Sequence, residues 1–237
     1  IRHLNETVYS EDLAKIDREE NFELALSNSL NKTYNEILSI SPIKELVDVL
    51  TYKFAFHNMK VIVKEKILQE DFEHIYSKVH YEDLDNLKKQ FETEKGEKGT
   101  WYEDTIIQAY KIFEKTKDPE KIEVFIDKRY FEKVLEISKK FGLDLIEEYF
   151  KTMIDFINIR TFIRCKRQEQ DISVLKEALI QDGYIDIDDI SSYFYKEIED
   201  LVNTHKNSKI GKSLFLGLKG YNETGRLLLF EKYMENY

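Results

Sequence analysis

The sequence predicts an all-α protein built from similar helical bundle units, and three observations carry that prediction. Only 2 Pro and 8 Gly occur in 237 residues, so helix breakers are scarce. Apolar residues make up 42% of the chain, enough to furnish a core. Most telling, one segment occurs twice at an offset of 100 residues, Tyr52–Lys66 lying over Thr152–Lys166. That offset pairs Phe56 with Phe156, Asn58 with Asn158 and Lys66 with Lys166, while Lys60 and Lys64 match Arg160 and Arg164. Met59 and Val63 match Ile159 and Ile163 in the same register. Downstream the echo resumes at a slightly longer offset, with Tyr81–Leu87 against Tyr184–Ile190 and Phe91 against Phe194. Two separated stretches that agree in order point to a duplicated unit, far longer than the short helical solenoid repeats.

In chain order, helices are expected near 11–30, 42–68, 83–94, 101–116, 119–141, 144–168, 173–181, 187–205 and 222–237. Ser41-Pro42 and Asp118-Pro119 each place a capping side chain before a proline at the first helical position, where a missing N–H costs nothing. Gly142 after Lys139 and Lys140 reads as a left-handed stop behind a basic last turn. Asp144 with Glu147 resembles a capping-box restart. The carboxylates of Asp83, Asp85, Asp186, Asp188 and Asp189 fit helix N-termini, where they meet the positive end of the dipole. Thr93–Gly99 reads as a mobile loop, and Asn203–Gly220 as an exposed turn between helices. The repeat divides the chain into a first unit at 1–95, a second at 96–195 and the start of a third at 196–237. With no initial Met and an end at Tyr237, the chain reads as a piece of a longer one.

Composition excludes several functions. A formal net charge of −10 opposes binding to nucleic acid or anionic lipid by simple attraction. The single cysteine, Cys165, excludes an intramolecular disulfide and points to a reducing compartment. No run approaches the roughly 18 apolar residues of a membrane span, and Ile1-Arg2-His3-Leu4 does not open a signal peptide, so any membrane association is indirect.

The second motif helix is apolar on several sides: Phe150, Met153, Ile154 and Ile157 form one sector at about 100° per residue, and Phe156, Ile159 and Ile163 another. A central, buried helix follows. Arg160 and Arg164 share a face, as do Lys60 and Lys64, and each pair reads either as a stripe for an acidic partner or as a salt-bridged face, the second being preferred. Asn58 and Asn158 read as buried amides bonded to nearby backbone. Catalytic signals fail in turn. Ile210-Gly211-Lys212-Ser213 resembles the end of a phosphate loop, but the pattern needs Gly where Lys206 stands and no strand precedes it. His3, His57, His74, His80 and His205 lack ligand spacing, and His57 reads as a core or interface histidine. The acidic clusters miss the glycine and terminal glutamate of a calcium loop. No catalytic, cofactor-binding or metal-binding residues are therefore assigned.

The segments Phe54–Lys64 and Asp155–Arg164 resemble the recurring Asn-apolar-Lys/Arg helices of the C subunits of V-type ATPases, whose eukaryotic equivalents are the d subunits. Asp118–Ile122 and Asp127–Phe131 resemble that family's middle region. The resemblance implies an all-helical adaptor of three similar units, funnel-shaped, with no catalytic group or cofactor of its own. It implies as partners the proteolipid subunits of the membrane rotor ring and the central shaft, on the cytoplasmic side of the membrane. ATP hydrolysis or synthesis would be coupled through it to ion translocation. A generic helical scaffold is the alternative, and an enzyme with an unrecognised carboxylate site ranks third.

Overall fold

A computed structural model describes residues 3, 6–15, 22–77, 79, 88 and 101–235, and every regular element among them is helical. The helices are α1 (Ser10–Leu13), α2 (Phe22–Ile40), α3 (Lys44–Leu68), α4 (Trp101–Thr116), α5 (Pro119–Lys140) and α6 (Asp144–Arg167). Five shorter ones follow: α7 (Ile172–Ala178), α8 (Ile187–Ser192), α9 (Ile198–Thr204), α10 (Gly211–Thr224) and α11 (Leu227–Glu235). The expected helix over 83–94, the echo at Tyr81–Leu87 and the loop at Thr93–Gly99 lie outside the described residues.

By packing, the chain forms two compact units, Ile1–Ile137 and Ser138–Tyr237. In the first, α3 carries Phe56, Met59, Ile62 and Val63 into one buried cluster with Ile106 and Ala109 of α4 and Ile122 and Ile126 of α5. Lys32 of α2 donates to both carboxylate oxygens of buried Asp12 at 2.8 and 2.9 Å, tying α1 to α2. In the second, α6 sends Phe156, Ile159, Phe162, Ile163 and Cys165 into a core shared with Leu175, Ile190, Leu201, Leu214 and Phe230. Buried residues take up about two thirds of the circumference of α6, and the side that carries Ile157, Arg160 and Arg164 holds none.

Several ends follow the sequence and several do not. Asp118 caps α5, its Oδ1 accepting from the Glu120 N–H at 2.9 Å. Gly142, at φ +63°, closes it: the Leu143 N–H reaches the Ser138 carbonyl at 2.9 Å. Asp186 caps α8 by accepting from the Asp188 N–H at 2.7 Å. Ser41 does not cap α3. Its hydroxyl donates to the Ile43 carbonyl at 2.8 Å, and the helix starts beyond Pro42 with Ile43 as its extended N-cap. Leu143, not Asp144, is the N-cap of α6, and Glu147 turns instead to Lys151 at 2.6 Å. The expected 11–30 helix divides into α1 and α2, and α2 runs on to Ile40 because no breaker precedes Pro42.

The expected 187–205 helix also breaks. The Lys166 ammonium donates hydrogen bonds to the carbonyls of Phe194 and Lys196, and Glu197 with Asp200 opens α9 by a capping box. The stretch Asn203–Gly220, expected as a turn, is largely α10. Gly217 within it marks a close contact rather than a break: a Cβ there would stand 2.8 Å from the Phe230 ring of α11. Ile157, expected in the core, is half-buried, while its neighbour Ile159 is fully enclosed.

Chemical denaturation should register that difference. Ile159→Ala is expected to cost about 2–5 kcal/mol, and Ile157→Ala less than about 1.5 kcal/mol. Equal losses at the two sites would contradict the placement of α6.

Candidate functional site

The two motif helices build the same constellation from the same residues. Asn58 in α3 and Asn158 in α6 are both 0% exposed. A side-chain amide shut away from water must satisfy a donor and an acceptor at once. Asn58 does so with one residue: its Nδ2 donates to the Ser77 carbonyl at 2.9 Å, and its Oδ1 accepts from the Ser77 N–H at 2.8 Å. Asn158 repeats this with Ile180, both bonds at 2.8 Å. The partners lie 19 and 22 residues downstream, so Ser77 and Ile180 stand in the register of the longer-offset echo, which pairs Tyr81 with Tyr184. Each asparagine thus pins the segment that returns along its helix, and the reading of buried amides bonded to backbone holds.

The basic pairs are likewise matched, and the salt-bridged reading holds for them. Lys60 reaches Asp127 of α5 at 2.7 Å and Glu123 at 3.6 Å, and Lys64 reaches Glu123 at 2.6 Å. Burial works to raise the Glu123 carboxyl, but the two ammonium groups outweigh it and hold it below the ordinary value. In the second unit, Arg160 and Arg164 converge on Glu231 of α11 at 3.6 and 3.0 Å. Each basic pair therefore meets a carboxylate from a helix later in the chain.

The copies diverge in how the return segment is held elsewhere. Glu65 accepts from the Phe72 N–H at 3.0 Å and from the Tyr76 hydroxyl at 2.6 Å. Burial raises the Tyr76 phenol, and the adjoining Glu65 carboxylate reinforces the shift. Cys165 stands at the matching place in α6, where the duty passes to Asp155, whose Oδ1 accepts from the Ile185 N–H at 3.0 Å. Asp155 is 1% exposed, and burial pushes its carboxyl up to about 7 against the backbone N–H groups of Ile185 and Tyr184, which favour the ionised form. Ala55 occupies the matching position in α3, so the repeat gives no sign of Asp155; an acid inside the apolar run of α6 is the signal that could have found it. His57 is exposed rather than in the core, with Nε2 3.0 Å from the Ile75 carbonyl.

The remaining chemistry-bearing candidates scatter. Gly211 is buried at the start of α10, where a Cβ would stand 2.1 Å from the Lys206 carbonyl oxygen, so packing accounts for the glycine of the phosphate-loop fragment. Among the described residues no group of three or more His, Cys, Asp or Glu is placed to hold a metal ion, and no helix is long and apolar enough to cross a membrane.

The matched amides and basic pairs hold each motif helix to its return segment and to a later helix, an arrangement shared by two stretches of one all-helical chain. Residues 1–237 match the model of the ATP synthase (C/AC39) subunit, and the chain belongs to that family. A curated relative is the C subunit of the V-type sodium ATPase of Enterococcus hirae, 24% identical over 181 residues that cover 76% of this chain. The match takes in 55% of that relative, so the chain spans about half its length.

Two measurements check the constellation. Asn158→Ala leaves the Ile180 N–H and carbonyl buried without partners and is expected to cost about 2–4 kcal/mol, with Asn58→Ala of similar size. Asp155 keeps its proton in the folded chain between pH 3.8 and about 7, where the unfolded chain has lost it, so its contribution to stability falls as pH rises through that window. The stability of Asp155→Asn relative to wild type should therefore climb from pH 4 to pH 7; a flat difference would refute a buried, proton-holding Asp155.

Proposed function

We propose that this chain is part of a non-catalytic central-stalk rotor subunit of a V-type ATPase, seating the central shaft on the membrane rotor ring and so coupling ATP turnover to ion translocation. The reading rests above all on the family match along all 237 residues. In this reading the chain supplies repeat units at 1–95 and 96–195 and the start of a third at 196–237, arranged as a funnel on the cytoplasmic side of the membrane. Its partners are the proteolipid ring and the shaft subunits.

Mechanical duty is supported by how little of the motif helices is free to move. Their buried amides are bonded to backbone and their cationic pairs are engaged by carboxylates of the chain. A part that bears torque needs stiffness, and paired polar groups inside a packed core supply it. The basic stripes, already engaged with Glu123, Asp127 and Glu231, are poor candidates for an acidic partner.

Ion pumping per ATP hydrolysed, measured in vesicles carrying the ATPase reassembled with and without the subunit, tests the assignment. Coupling should be lost without it, while hydrolysis by the soluble head continues; undiminished coupling would reject the adaptor role. In calorimetry the isolated chain should give no stoichiometric heat with ATP. A stoichiometric isotherm abolished by Lys212→Ala would overturn the non-catalytic reading.

A further inference from the structure

Among the helices with an apolar residue followed by glutamate near their N-terminal ends are three: α2 with Phe22-Glu23, α5 with Ile122-Glu123 and α11 with Phe230-Glu231. In two of them the pair is docked. Ile122 is 3% exposed in the cluster of Met59, Ile62 and Val63 while Glu123 receives Lys60 and Lys64. Phe230 is 0% exposed in the cluster of α6 while Glu231 receives Arg160 and Arg164.

In α2 the same stripe is left partly exposed among the described residues. At about 100° per residue, Phe22, Leu26, Leu30 and Ile37 fall within one narrow sector, with Glu23 at its border. Shifted by the offset of 100, these positions are Ile122, Ile126, Tyr130, Ile137 and Glu123 of α5. There the stripe is covered: Ile126 and Ile137 are buried, and Tyr130 stands edge-on to Phe56 of α3 at 5.2 Å. On α2, Phe22 is 38% exposed, Leu30 39% and Ile37 40%, and Ala25 is its only buried residue. Glu23 has the place of a carboxylate that, in α5 and α11, sits against two cations.

We infer that this face of α2 is a docking site for a helix of the motif type, one that presents two Lys or Arg residues four apart beside a row of apolar side chains. Charge and shape both select that occupant. The carboxylate at the helix start fixes the polarity of the pairing, and the apolar row supplies the buried area. The proposal stands on helix packing alone, whichever complex the chain serves. It also accounts for the packing division after Ile137. If the helix that bears the stripe in each repeat docks on the preceding motif helix, the first compact unit runs past the repeat boundary at 95 to take in α4 and α5.

The probe is a fluorescein-labelled, helix-stabilised peptide of residues 150–167, titrated with the intact 237-residue chain and followed by anisotropy. Binding is expected, and Leu30→Asp should weaken it at least about tenfold. Glu23→Lys should weaken it by about threefold, and a peptide carrying Arg160→Glu and Arg164→Glu should regain affinity for that variant. Both substitutions are on exposed side chains, and unchanged circular dichroism verifies that each variant is folded. Absence of binding at about 100 μM, or binding indifferent to both substitutions, overturns the proposal. Sedimentation of the unlabelled chain gives the rival outcome: a dimer dispersed by Leu30→Asp would assign the face to a second copy and overturn the basic helix as its occupant.

Discussion

A primary amide with no solvent exposure has to find a donor and an acceptor in the protein or destabilise it by a few kcal/mol. Asn58 and Asn158 meet that demand by trading two hydrogen bonds with a single residue of the returning chain, Ser77 and Ile180. Much else follows from that exchange. A residue held by both its N–H and its carbonyl cannot slide along the helix, so the return segment has one register. In the second unit that register carries Ile185 to Asp155 and the following helix, α8, to its place beside α6. In the first it brings Phe72 and Tyr76 to Glu65 and Ile75 to His57. The apolar clusters then close around helices whose polar groups are already fixed.

The motif helices are legible in the sequence because their constraints fall on identities. Only asparagine offers donor and acceptor at that size, and only Lys or Arg can bridge to Glu123 or Glu231, so both survive as matching letters. Even the change of offset in the downstream echo corresponds to something physical, the extra length between each asparagine and its backbone partner. Helix ends are harder to read. Ser41 has the right chemistry for a cap but commits its hydroxyl to a local turn. Gly217 has the wrong propensity for a helix, but only glycine lets the Phe230 ring approach so closely. Asp155 is hidden from the repeat because Ala55 is its counterpart, and Ile157 looks internal because two apolar sectors on one helix leave open which is the more deeply covered.

Function is legible mainly as an absence of reactive patterns and a presence of resemblance. The all-helical fold and the family stand on the structure and the full-length match, and the part in torque transmission is a reading built on them. On that reading, burying polar pairs inside the motif helices serves rigidity rather than chemistry. The same logic extends to charge, since the lysine pair meets two carboxylates and the arginine pair one, each on the helix that packs beside it.

Whether one buried exchange per unit fixes each return segment can be decided by amide hydrogen exchange at the two partner residues. The Ser77 and Ile180 N–H groups lie in segments that make no helical hydrogen-bond ladder, so without the asparagines they would exchange like ordinary loop amides. With the asparagines in place, both should be protected nearly as strongly as the core amides of α3 and α6, within about tenfold. Rapid exchange at either residue while α3 and α6 remain protected would contradict a register set by the asparagines.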